Sequence, residues 1–284
     1  MQCPQTVTDL RSVLDEATVA GKSIGFVPTM GALHAGHIGL VETAVRENDL
    51  TVCSIFVNPT QFNNPGDLAH YPRQEEQDLS LLREAGCDLA FLPTPEAMYP
   101  EGDDLSRYEL DFGPMATVME GQHRPGHFRG VGIIVGKFFD LIRPNRAYFG
   151  EKDFQQLLVV KALNRMLDQG VDVIGVPTFR EPDGLAMSSR NLRLNTAQRA
   201  EADLIYRTLQ GARKHWADFT VEGLQAWAAE QFAGNPQLTL EYFDIANAED
   251  LQPIRQWSDC SSAIACTSAF AGEVRLIDNM ILFP

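Results

Sequence analysis

Apolar and polar positions along the chain alternate between two periods, and the order in which they do so predicts the architecture. Leu10, Val13, Leu14 and Ala17 recur at helical spacing within Thr8 to Val19, and Gly21 follows as a stop. Ile24, Phe26 and Val27 form a short apolar run closed by Pro28, which reads as a buried strand. From His37 the period returns to helical at Ile38, Leu40, Val41, Ala44 and Val45. Leu50 to Val57 predicts a second buried strand, Arg73 to Gly86 an amphipathic helix and Leu89 to Pro93 a third strand. Strands alternating with helices predict parallel pairing through right-handed crossovers.

Turn residues dominate from Pro95 to Pro114, apart from an alternating piece, Tyr108 to Phe112, expected to be an edge strand. An apolar helix is expected over Val131 to Ile142. A short strand follows, ending at Phe149 and Gly150, then a helix through Leu157, Val160 and Leu163, and a strand over Val171 to Val176. After Asn191 the order changes to helices at Thr196 to His215 and Val221 to Phe232. Alternating strands come next at Leu238 to Asn247, Ala263 to Phe270 and Val274 to Leu282. We therefore expect an α/β domain over residues 1–178 and a smaller α+β domain over residues 179–284, with the boundary near Phe179.

Composition narrows the setting. The 284 residues are 44% hydrophobic and 21% charged, ordinary for a globular protein with a sizeable core. No apolar run reaches membrane-spanning length, the first residues lack a signal-peptide pattern, and a cytoplasmic location is expected. Cys3, Cys53, Cys87, Cys260 and Cys266 are scattered without a Cys-x-x-Cys and read as reduced thiols. The formal net charge of −15 disfavours nucleic acid as a partner. An anionic small molecule would then need a local basic cluster or a metal ion.

Candidate chemistry gathers at strand ends. Between the first strand and its helix lies Pro28-Thr29-Met30-Gly31-Ala32-Leu33-His34-Ala35-Gly36-His37, where a helix N-terminus and two glycines favour an anion against the backbone. The Gly31-x-x-x-x-Gly36 spacing mimics a P-loop, but His37 and Ile38 stand where that loop needs Lys and Ser or Thr. His34 and His37, three apart, share one face if the helix begins near them; no third ligand beside them suggests zinc. They read either as donors to phosphate oxygens or as a solvated turn. Gln61, in the loop Asn58-Pro59-Thr60-Gln61-Phe62 after the second strand, is either a ligand hook or solvated. Arg124 to Gly130 is an anion-friendly helix start or a cap with solvated arginines. In Gly150-Glu151-Lys152-Asp153, Asp153 is an N-cap or a ribose acceptor, and Lys152 adds positive charge at a strand end. Met187-Ser188-Ser189-Arg190, with Gly184 to bend the loop, has the form of a phosphate clamp.

Three of these signatures, Pro28 to His37, Gly150 to Asp153 and Met187 to Arg190, occur together with Ser54-Ile55-Phe56-Val57-Asn58-Pro59 and Arg124-Pro125-Gly126-His127-Phe128. In this combination the chain closely resembles the pantoate–β-alanine ligase family. His-x-Gly-His with a later Ser-Ser-Arg also resembles the wider nucleotidyltransferase superfamily, which includes class I aminoacyl-tRNA synthetases. The resemblance implies a Rossmann-like parallel-sheet domain with a His-x-Gly-His nucleotide site, followed by the smaller domain as a lid. It implies condensation of pantoate with β-alanine through a pantoyl adenylate, with ATP as substrate, Mg²⁺ on the phosphates and AMP and pyrophosphate as products, a step towards coenzyme A. His37, His34, Lys152 and Arg190 would be catalytic. Met30, Gly31, His34, Gly36, His37, Gly150, Lys152, Asp153, Phe179, Met187, Ser188, Ser189 and Arg190 would hold ATP. Gln61 and Gln156 would hold pantoate, with Gln61 also reaching β-alanine. A homodimer is implied, and which residues touch the metal is left open. The runner-up is another enzyme of the superfamily acting on a phosphate acceptor, and a non-catalytic nucleotide sensor is the third reading. A tRNA synthetase fragment is disfavoured by acidity.

Overall fold

The computed structural model describes residues 1–62, 65–69 and 71–283. Five parallel strands form the first sheet: β1 (Ile24–Thr29), β2 (Leu50–Ile55), β3 (Leu89–Phe91), β4 (Arg146–Gly150) and β5 (Asp172–Val176), in the order β3-β2-β1-β4-β5. Its connecting helices are α1 (Val7–Val19), α2 (Ala35–Glu47), α3 (Pro65–Ala69), α4 (Glu75–Glu84), α5 (Pro95–Met98), α6 (Glu120–His123), α7 (His127–Ile142) and α8 (Phe154–Met166). The chain runs outward from β1 through β2 to β3, then returns to the other side of β1 with β4. Strand order therefore reverses between β1 and β4. In open α/β sheets the crevice at such a reversal, beyond the carboxyl ends of the strands, is where ligands bind.

Both faces of this sheet are covered, and alternation along β1 shows why its strands read as unbroken apolar runs. Phe26 turns to one side, where it meets Phe138 and Phe139 of α7, with Leu10 and Leu14 of α1 and Leu163 of α8 in the same core. Val27 turns to the other, with Leu40 and Val41 of α2 and Leu82 of α4.

The remaining residues build α9 (Thr196–Glu201), α10 (Leu204–His215) and α11 (Val221–Phe232). An antiparallel sheet completes the chain, with β6 (Thr239–Asn247), β7 (Ala263–Ala271) and β8 (Val274–Phe283) in that order. Ile205, Leu209, Leu224 and Phe232 bury its helices in a separate core with Ala265, Ala269 and Leu276.

Three local expectations need correction. Tyr108 to Phe112 is not an edge strand: Ser106–Tyr108 forms a 3₁₀ turn and Phe112 precedes another. Its alternating apolar residues serve to pack Tyr108 and Phe112 against α7, at Gly136 and Gly132. The helix from Thr196 to His215 tightens at Ala202 and Asp203 into two, with the Ile205 N–H reaching back to the Ala202 carbonyl. Asp153 stands at the N-cap of α8, but its side chain makes no capping bond there.

Candidate active site

The turn after β1 is shaped by a residue far away in sequence. Gly31 (φ +80°) and Ala32 (φ +50°) both adopt left-handed backbone. Asp78 of α4, buried, accepts from the Ala32 N–H (2.9 Å) and the Leu33 N–H (2.7 Å). A Cβ on Gly31 would lie 3.0 Å from that carboxylate, so glycine is needed there for the turn and for the close approach.

The clamped turn delivers His34 to the N-cap of α2. Its Nδ1 accepts from the Gly36 N–H (3.2 Å), while the His34 N–H donates to Nδ1 of His37 (3.4 Å). With both Nδ1 atoms accepting, the neutral rings carry their protons on Nε2. The rings lie 4.0 Å apart between centroids. Burial, then the Lys152 charge, lowers His34 to about 4; burial, then the neighbouring His34 and Lys152, lowers His37 to about 3. At neutral pH this is a pair of uncharged N–H donors beside a helix N-terminus.

A cavity of about 210 Å³ runs from this pair along the carboxyl end of the sheet. Of the candidate residues it brings together Met30, His34, Gly36, His37, Gln61, Gly150, Lys152, Asp153, Gln156, Phe179, Met187, Ser188, Ser189 and Arg190. Gly31 does not line it and stands behind the turn against Asp78. A second cavity, about 650 Å³, opens along β6, β7 and β8 beside the Lys152 and Ser-Ser-Arg turns, and shares Arg124, Lys152, Asp153, Ser188 and Arg190 with the first. Positive side chains thus concentrate where the two meet, in a protein of net charge −15.

Gln61 is buried, not solvated, with its Nε2 against Met30 Sδ at 2.8 Å and its Oε1 accepting from Asn58 Nδ2 at 3.2 Å. Asn58, also buried, donates to the Gly130 carbonyl (3.2 Å) and accepts from the Tyr99 hydroxyl (2.7 Å). The turn lies so close to α7 that a Cβ on Gly130 would sit 2.4 Å from the Thr60 carbonyl oxygen. Adjacent glutamines on α8 take different parts. Gln156 faces the cavity, whereas buried Gln155 donates to the Met115 and Val118 carbonyls (2.8 and 2.9 Å).

Several lining residues lay outside the candidate set. His127 Nδ1 lies 2.9 Å from the Gln61 carbonyl, so that nitrogen carries the proton and Nε2 accepts from Arg124 at 3.1 Å. Burial and the Arg124 charge lower His127 to about 4. Val131, Ile134, Val135 and Phe138 form an apolar wall opposite the polar end. Arg124 and His127 had a signal in the Arg-Pro-Gly-His run; the apolar wall had none, because α7 is buried nearly all round. Behind Arg124, Glu120 accepts two bonds from Arg275 of β8 (2.6 and 2.7 Å) and one from Tyr242 of β6 (2.8 Å). Burial alone would raise Glu120, but Arg275, Tyr242 and Arg124 hold it down at about 2. Among the described residues no three His, Cys, Asp or Glu side chains converge as a metal cluster, and no helix is long and apolar enough to cross a membrane.

The arrangement provides N–H donors, cations and a helix N-terminus at one end of a cleft and amides beside an apolar wall at the other. It suits transfer of a nucleotide phosphoryl group to a small acid with an apolar body. Comparison with known proteins agrees. A sequence profile described as pantoate-beta-alanine ligase matches residues 2–281. A pantothenate synthetase of Bacteroides thetaiotaomicron is 48% identical over 280 residues, covering 99% of this chain and 98% of that protein. The crystal structure of pantothenate synthetase from Thermus thermophilus superposes with a TM-score of 0.92 at 44% identity, covering all of both chains. A pantoate-beta-alanine ligase from Francisella tularensis, complexed with beta-gamma ATP and beta-alanine, superposes with a TM-score of 0.82 at 34% identity, over 99% of this chain and 98% of that one.

Proposed function

The chain belongs to the pantoate–β-alanine ligase family, and on that premise we propose how its cleft joins pantoate to β-alanine at the expense of ATP. The enzyme is an ATP-dependent carboxylate–amine ligase that forms pantothenate. In the first half-reaction a pantoate carboxylate oxygen attacks the α-phosphorus of ATP and the bond to pyrophosphate breaks. In the second the β-alanine amine attacks the acyl carbon of the adenylate, loses a proton and expels AMP.

Such a phosphoryl transfer asks the protein for alignment and charge stabilisation. The single observation that carries the assignment of roles is that one cleft joins the imidazole pair to Lys152, the Ser188-Ser189-Arg190 turn, Gln61 and Gln156. His34 and His37 donate from Nε2 to the phosphates, His37 meeting the charge that grows on the leaving pyrophosphate. Lys152, Ser188, Ser189 and Arg190 bind the triphosphate. Met30 and Gly36 let it approach the backbone, and Gly150, Asp153, Phe179 and Met187 hold the nucleoside. Gln61 and Gln156 bind the hydroxyls and carboxylate of pantoate, its methyl groups lying on Val131, Ile134 and Phe138, and Gln61 also reaches β-alanine. Lys152 and Arg190 would hold the triphosphate that carries Mg²⁺, with the Asp153 carboxylate as the acidic group at that end of the cleft, and the ion would supply further charge neutralisation. The smaller unit, residues 179–284, acts as a lid hinged near Phe179, on a cytoplasmic homodimer.

Formation of AMP, followed with each substrate omitted in turn, tests the reading. AMP and pantothenate should appear in equal amounts only when ATP, pantoate and β-alanine are all present. AMP production that ignored pantoate would refute it.

A further inference from the structure

Two consecutive residues of β8 reach the ATP end of the cleft, the first within the smaller unit and the second across to the other. Asp278, buried, accepts from both terminal nitrogens of Arg180 at 2.6 and 3.0 Å, and Arg180 lies at the start of the segment leading to the Ser-Ser-Arg turn. Asn279 follows, and successive strand residues face opposite ways. Its amide nitrogen donates to the Glu151 carbonyl at 2.9 Å and to the Lys152 carbonyl at 2.8 Å. Its own N–H donates to Asp278 Oδ1 (2.8 Å), so the Arg180 pair and the amide are held as one unit.

The two accepting carbonyls belong to the 3₁₀ turn Glu151–Asp153 between β4 and α8, which carries Lys152 and Asp153 into the cleft. Both amide hydrogens are spent on main chain. They fix the path of the turn and leave its side chains to the ligand. The Lys152 ammonium lies 3.8 Å from Asp153, beyond a hydrogen bond, so the backbone carries much of its placement.

We propose that Asn279 is a positioning residue for Lys152, holding the lysine's turn in its ATP-binding path when the smaller unit is seated. The inference rests on the reading of Lys152 as a phosphate ligand. Because Asn279 comes from the unit that closes and Lys152 from the unit that binds, seating the lid and placing the ammonium become one event. A misplacement of about 1 Å at a group that orients a reacting centre costs about 10²-fold in rate.

The test is a double-mutant cycle on the intact enzyme, read as kcat/KM for ATP in pantoate-dependent exchange of labelled pyrophosphate into ATP. The proteins are the wild type, Asn279→Ala, Lys152→Ala and the double variant, each with its thermal melt. Asn279→Ala should lose about 10-fold to 10²-fold, Lys152→Ala more, and the double variant no more than Lys152→Ala, since a residue acting through Lys152 has nothing left to place. A merely structural residue would lower the melt and multiply the two losses, and that outcome overturns the proposal. So does wild-type exchange in Asn279→Ala. If Lys152→Ala alone exchanges normally, the reading of Lys152 has failed, a result distinct from failure at Asn279. Should Asn279→Ala not fold, Asn279→Gln takes its place in the same cycle with the same expectations, because its longer stem moves the donors off the two carbonyls.

Discussion

Replacing Gly130 by alanine adds one methyl group at the tightest contact between α7 and the Gln61 turn. An ideal Cβ there lies 2.4 Å from the Thr60 carbonyl oxygen, 2.6 Å from its carbon and 2.7 Å from the Gln61 nitrogen. Ordinary contact begins at about 3.5 Å, so turn and helix must separate by about 1 Å. Alanine returns at most about 1 kcal/mol of helix preference over glycine. Against that stand about 1–3 kcal/mol for overpacking and about 1 kcal/mol for a weakened Asn58 bond to the Gly130 carbonyl. The strain wins, and a net loss of about 1–3 kcal/mol is expected from these terms. The same shift moves Gln61 and stretches the bond from His127 to its carbonyl. KM for pantoate should therefore rise about 10-fold or more, while KM for ATP, assigned mainly to the His34–His37, Lys152 and Ser-Ser-Arg turns, should stay near wild type. Urea unfolding and initial rates with pantoate varied at saturating ATP measure both. A higher unfolding midpoint with an unchanged pantoate KM would mean that helix preference governs the site, and would refute the argument.

His37→Ala should lower adenylate formation by about 10² to 10³-fold, the scale for one donor to developing charge; near wild-type pyrophosphate exchange would remove His37 from that role. Gln61→Ala and Gln156→Ala should each weaken pantoate binding in calorimetric titration far more than ATP binding, and unchanged pantoate affinity in both would refute their assignment. Arg275→Ala leaves the buried Glu120 carboxylate without its main partner and should cost about 3 kcal/mol. Adding Glu120→Leu should recover most of that, and a double variant no more stable than Arg275→Ala contradicts the pairing. His34, His37 and His127 all have lowered folded-state values, at about 4, 3 and 4. Their unfolded forms bind protons first, so the stability they contribute is complete above about pH 6.5 and is lost as pH falls from there towards 3. A urea midpoint that stays flat from pH 7 to 5 would contradict it.

The parallel sheet and the His34–His37 loop were legible because both are local. One run of residues supplies strand, turn and helix start, and the buried period of β1 is visible within six positions. What stayed hidden depends on pairing across the chain. Asp78 meets Ala32 and Leu33 from 46 and 45 residues away, and Asn279 reaches Lys152 across 127. Each reads on its own as a helix or strand position with no ligand chemistry. Tyr108 to Phe112 misled for a related reason: two aromatic side chains resting on a helix leave the same alternation as one face of a strand. Gln155 and Gln156 are chemically identical in the sequence, and only the direction of α8 separates the one spent on loop carbonyls from the one that faces the cleft.

On the proposed mechanism this cleft makes an acyl adenylate before the amine takes part. Exchange of labelled pyrophosphate into ATP, measured with pantoate and Mg²⁺ but without β-alanine, tests it directly. Exchange should proceed with pantoate, stop when pantoate is omitted and release little AMP, since the proposed lid, once closed, would keep water from the adenylate. Exchange that required β-alanine, or none under any combination of substrates, would contradict it.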